Sequence, residues 1–121
     1  MATTDQPQVA CIFCRIARGE IPTVFVVEME SVVAFRDLHP QAPTHILVIP
    51  RKHIASLNDL GPDDVRLAGE LLAVAAEVAD VVGIAESGYR VFTNSGADAG
   101  QSVFHLHLHV VGGRQLGIGV L

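Results

Sequence analysis

Residues 105 to 113 read His-Leu-His-Leu-His-Val-Val-Gly-Gly, and no other stretch limits the fold so strongly. Strict alternation of polar with apolar residues has the period of a β-strand and not of a helix. Residues two apart in an extended strand lie on the same side, roughly 6 to 7 Å from each other. His105, His107 and His109 are therefore expected in one row about 13 Å long, with Leu106, Leu108 and Val110 entering a core behind them. A single histidine on such a strand is most simply the polar side of an edge strand. Three of the chain's six histidines at i, i+2 and i+4 point instead to a working surface that follows a phosphate or holds a metal.

A chain of 121 residues suits one domain with one core, here expected over residues 10–121 behind a flexible polar tail at 1–9. Glu70, Glu77 and Asp80 interrupt the longest apolar windows, so no segment reaches the roughly 20 apolar residues of a membrane span. The first nine residues lack the basic and apolar regions of a signal peptide, and two cysteines three apart are a poor disulfide framework. These features predict a cytoplasmic protein with no membrane partner. Net charge is −5 and the eight Lys and Arg are scattered, which argues against polymeric nucleic acid and for a small ligand.

The segment Cys11 to Ile16 suits a short helix closed by Gly19. Val24 to Val27 and Ser31 to Arg36 read as a β-hairpin, and His45 to Pro50 as a third strand delivered by the two-proline segment 39–44. From Gly61 the pattern turns helical, with Pro62 in the first turn and Gly83 as the stop. Leu67, Leu71, Val74, Val78 and Val81 make an apolar face wide enough to cover a sheet and a partner subunit together. Tyr89 to Asn94 is a fourth strand, and the Gly-rich loop 95–102 leads into the histidine strand.

That loop lacks the Gly-Lys-Ser/Thr of a Walker A motif. Its small residues nonetheless let backbone N–H groups approach an anion, with Gln101 and Ser102 adding donors beside the histidines. Neutral imidazole is a good nucleophile towards phosphorus, and a covalent phosphohistidine splits one displacement into two. Neighbouring imidazoles can stabilise the developing charge and protonate the leaving group. The Cys11-x-x-Cys14 pair is open to three readings: zinc ligands, a redox pair, or buried thiols.

Five stretches in order, CIFCRIARGEIP, FRDLHPQAPTHILVIPRKHI, TNSGADAGQS, HLHLHVV and GGRQ, carry a resemblance to the histidine triad (HIT) superfamily, in its Hint-like branch of nucleotide-binding proteins. The resemblance implies an α+β fold: a five-stranded antiparallel sheet with one short and one long helix, continued to ten strands in a homodimer. It implies a hydrolase of purine nucleoside phosphoramidates, with AMP or GMP as the nucleotide. His107 would be the nucleophile, His109 would contact the phosphate and assist the leaving group, and His45 would support them. Asn94, Gly100, Gln101, Ser102 and Val103 would lie on the phosphate side, with Ser102 near the leaving group. Asp37 would bind the ribose, and Phe13, Ile16, Ile21, Phe35 and Leu38 would line the nucleobase slot. Some bacterial relatives hold structural zinc on residues that correspond here to Cys11, Cys14, His53 and His105, and no organic cofactor is implied. The chain departs from eukaryotic Hint proteins in lacking a Trp-containing tail. Other readings are a dinucleoside polyphosphate hydrolase, a nucleotide-binding interaction protein with vestigial hydrolysis, and a catalytic zinc on the HxHxH strand.

Overall fold

The computed structural model describes residues 11–118, so the tail expected at 1–9 lies outside the described residues. The expected α+β architecture is present: an antiparallel sheet in the order β1-β2-β3-β5-β4, one long helix and one short one. The strands are β1 (Phe25–Glu28), β2 (Val32–Arg36), β3 (Thr44–Pro50), β4 (Tyr89–Phe92) and β5 (Leu108–Gly112), and the helices are α1 (Ile12–Ala17) and α2 (Val65–Val81). No helix among these residues is long and apolar enough to cross a membrane.

Central position explains why β3 carries the unbroken apolar run Ile46 to Pro50, all of it buried. One face of the sheet packs on α2 through Ala34, Ile46, Val48, Leu108 and Val110. The other packs on α1 through Val33, Phe35, Leu47 and Ile49. A strand buried on both faces loses the polar half of its alternation.

Three expectations are corrected. The histidine strand starts at Leu108 and not at His105. Upstream, Leu106 donates its amide to the Ile54 carbonyl at 2.6 Å, and the His105 ring turns towards the two cysteines, so the row of three imidazoles is broken. The first turn of the long helix is a separate 3-10 turn, Pro62–Asp64. Asp64 accepts the Gly61 amide at 2.9 Å and the Lys52 ammonium at 2.6 Å, tightening that turn. Finally, Leu71, Val74 and Val78 do not form an exposed patch: each is buried against the chain's own sheet, and the large apolar residues of α2 left exposed are Val65, Leu72 and Val81.

Candidate active site

Hydrogen-bond partners fix the tautomers of His107, His45 and His109 around the sheet face that carries α1. The His105 carbonyl lies 2.7 Å from His107 Nδ1, and only an N–H can satisfy it. Neutral His107 therefore carries its proton on Nδ1 and its lone pair on Nε2. The Gln41 amide donates to His45 Nδ1 at 3.0 Å, which puts the His45 proton on Nε2. That proton is donated across 2.9 Å to His109 Nδ1, so His109 holds its own on Nε2, a buried atom with no partner among the described residues. Two neighbouring imidazoles, with centroids 5.0 Å apart, thus present opposite chemistry: a lone pair on one and a proton on the other.

Burial pushes the pKa of His107 and of His45 below the usual imidazole value, so both are neutral at pH 7. Burial and the potential of His107 and His45 hold His109 at about 4. Asp37 stands at the same end, its Oδ2 3.5 Å from His45 Nε2 and its Oδ1 accepting the His39 amide.

On the β1 and β2 side of the imidazoles a cavity of about 360 Å³ is lined by Ile12, Ile16, Ile21, Phe35, Arg36 and Leu38. Four of the five residues expected in a nucleobase slot meet there. Phe13 does not: it is buried beside the histidine segment, its ring 5.1 Å from that of His107. Ile12 was missed, although it lies one helical turn before Ile16. Leu38 stands 89 % exposed at the rim. A second cavity, of about 340 Å³, lies on the β4 side and includes Asn94, Ala99, His109 and Arg114.

The Gly-rich loop forms a 3-10 turn, Ala97–Ala99, between Gly96 and Gly100, both at positive φ near 80 to 90°. Gln101 holds it. The Gln101 amide donates to the carbonyls of Ala55 at 2.7 Å and Val103 at 3.1 Å, and its oxygen accepts the Gly96 amide at 2.8 Å. Both of its N–H groups are engaged, so Gln101 shapes the loop and has no donor left for an anion. Ser102 and Gly100 are exposed and Val103 is half-buried against Leu47 and its neighbours.

Cys11, Cys14, His53 and His105 converge, all four donor atoms within 4.8 Å of one another. Cys11 Sγ is 3.3 Å from His105 Nδ1, and Cys14 Sγ is 3.2 Å from His53 Nδ1 and 3.5 Å from His105 Nδ1. A tetrahedral zinc with Zn–S near 2.3 Å and Zn–N near 2.0 Å separates S from N by about 3.5 Å. His105 donates Nε2–H to the Pro50 carbonyl at 2.8 Å, which turns the Nδ1 lone pair towards the sulfurs. Without a cation, burial and the neighbouring Cys11 push the Cys14 thiol up to about 12, whereas a bound cation favours the thiolate. The donor set fits a metal. A second cluster, Asp37 with His45 and His109, does not: the Gln41 amide occupies Nδ1 of His45, so Nε2 must keep a proton. With His105 given to the cysteines, the three strand histidines form no joint metal site.

A feature the sequence reading missed is Phe92, whose ring stacks on His109 with centroids 4.5 Å apart and planes 8° from parallel.

Comparison with known proteins agrees with this geometry. The HIT domain family model matches residues 18–116. A purine nucleoside phosphoramidase of Escherichia coli K12 is 47 % identical over 106 residues, covering 88 % of this chain and 89 % of the relative. Among solved structures, a HIT family hydrolase of Legionella pneumophila is 50 % identical with a TM-score of 0.85, over 88 % of this chain and 96 % of that one. Another, from Clostridium thermocellum, is 42 % identical with a TM-score of 0.89, over 93 % and 97 %. With a family match across most of the sequence and relatives near half identity at nearly full length, this chain belongs to the HIT domain family.

Proposed function

We propose that this HIT-family protein hydrolyses purine nucleoside phosphoramidates through a nucleotidyl intermediate on His107. The opposed tautomers of His107 and His109 carry the reading: a fixed lone pair for the nucleophile beside a fixed, unpartnered N–H for the leaving group. The base would enter the cavity between Ile16 and Leu38, with Asp37 reaching the ribose hydroxyls. Backbone amides of the Gly100 to Val103 segment, Asn94 and the Ser102 hydroxyl would meet the phosphoryl oxygens. An anionic phosphoryl group raises the proton affinity of the His45–His109 pair, so a proton taken up with the substrate is available at His109 Nε2. As the bond from His107 Nε2 to phosphorus forms, the P–N bond breaks, and the departing nitrogen takes that proton. Water then attacks phosphorus, displaces His107, returns a proton to the His45–His109 pair and releases the nucleoside monophosphate. The name carried by the E. coli relative supports the substrate class.

Zinc on Cys11, Cys14, His53 and His105 would be structural: four protein ligands close the site and leave no position for water or substrate. The paired free thiols support a reducing, cytoplasmic setting, and residues 10–121 are proposed as one domain. A homodimer would join the sheets through β4, which is an edge strand, and cover the apolar groove of Leu57, Leu60, Leu71 and Leu72 beside it.

The test is mass mapping of quenched enzyme after mixing with an adenosine phosphoramidate. Label on His107 and loss of turnover in His107→Ala are expected; label elsewhere, or full turnover by that variant, sinks the mechanism. Diadenosine polyphosphates in the same assay decide the substrate class, and faster turnover of those would replace the phosphoramidase reading. If turnover is negligible on both while nucleotide still binds, the protein acts through binding.

A further inference from the structure

β4 contributes to this site a side chain with no polar atom. Phe92 stands opposite His109 in the antiparallel register of β4 and β5, and its ring covers one face of the imidazole at 4.5 Å and 8°. Among the described residues His109 has a single hydrogen bond, from His45 Nε2 to Nδ1. One bond at one ring atom leaves the ring plane free to tilt, and tilting redirects Nε2–H, at the other end of the ring. His107 meets His109 edge-on at 61° and His45 meets it tilted at 45°, so neither ring lies parallel to that plane. Of the described rings around His109, Phe92 is the one that lies flat against it.

We propose that Phe92 is a positioning residue: it fixes the imidazole plane of His109 so that Nε2–H points at the leaving nitrogen. This rests on the phosphoramidase reading above. In the step concerned, the His107 Nε2–phosphorus bond forms, the electrons of the breaking P–N bond stay on nitrogen, and nitrogen takes the proton from His109 Nε2. Hydrogen bonds weaken steeply as they bend, so a tilted donor loses most of its effect in the transition state and little in substrate binding.

The leaving group distinguishes this role from general support of the fold. An alkylamine cannot depart without a proton, whereas 4-nitrophenolate departs as a stable anion. In Phe92→Leu, kcat on an alkylamine adenosine phosphoramidate should fall about 10- to 100-fold, part of the 10²- to 10⁴-fold that a positioned acid supplies. On adenosine 5′-(4-nitrophenyl phosphate), kcat should stay within about 2-fold, as should KM on both substrates, and Phe92→Tyr should restore the amine rate to within about 3-fold. Phe92→Met, an unbranched apolar replacement, serves if the leucine variant does not fold. Equal losses on both substrates, a loss expressed in KM, or no loss would overturn the inference. Those results leave the phosphoramidase reading intact as long as wild-type enzyme turns over the amine and labels His107; failure of that control is what overturns the reading itself.

Discussion

Replacing Gln101 by leucine should show how strongly one buried amide holds the Gly-rich loop. Gln101 is buried, and its three hydrogen bonds hold the loop together through Gly96 and Val103 and tie it to one distant segment through Ala55. Each such bond contributes about 1 kcal/mol net, so the substitution removes about 3 kcal/mol. It also leaves the Ala55 carbonyl in a residue only 2 % exposed without this donor, which adds to the loss. Leucine is close enough in volume that packing does not dominate. Unfolding entropy near 2.1 cal/mol/K per residue gives about 0.25 kcal/mol/K for a chain of this length, so Tm should fall by about 12 °C. Differential scanning calorimetry at pH 7.5 measures it directly. A fall below about 3 °C would refute the argument, because it would mean that water replaces all three partners at no cost.

Further predictions follow from the metal cluster, the histidines and the sheet edge. Purified protein should carry about one zinc per chain by elemental analysis, and Cys14→Ser should lose it and melt lower. Wild-type protein with no metal and no response to added zinc would count against the site. In the metal-free protein, burial holds His105 and His109 at about 4 against 6.5 for an ordinary imidazole. The unfolded chain therefore binds protons first. The stability these histidines contribute is full above pH 6.5 and is lost as pH falls towards 4. About 3 kcal/mol of that loss comes from His105, and less from the partly exposed His109. Urea midpoints that do not move between pH 7 and 4.5 would contradict this. Light scattering at micromolar concentration should give twice the chain mass, and Leu72→Asp, at a position 61 % exposed in the single chain, should halve it without unfolding. Val78→Asp should instead unfold the chain, since Val78 is fully buried in its own core.

The sequence by itself determined the elements and the kinds of chemistry. Short runs of β-branched and apolar residues between turn signals marked the strands, and the broad apolar stripe with Pro62 and Gly83 at its ends marked α2, while the resemblance implied that the strands form an antiparallel sheet. These are local properties, written in neighbouring residues. His-x-His-x-His beside a Gly-rich loop pointed to phosphorus chemistry, and the resemblance to a known family supplied candidate residues for each role. The resemblance implied that His105 goes to the cysteines and His107 and His109 to the phosphate, but only the tertiary structure supplies the contacts by which they divide. Alternation puts them on one side of an ideal strand and says nothing of partners far away in the chain, yet His105 meets a cysteine 94 residues distant and His45 meets His109 across 64. The distant partners draw His105 to the thiols and fix the His109 proton on Nε2, while the His105 carbonyl, only two residues from His107, fixes the His107 proton on Nδ1. The same long-range bonds make Gln101 a brace for the loop and bury Phe13 beside His107. Only the cross-strand register brings Phe92 onto His109. A tautomer depends on which backbone group faces a nitrogen, and that is settled when the sheet closes.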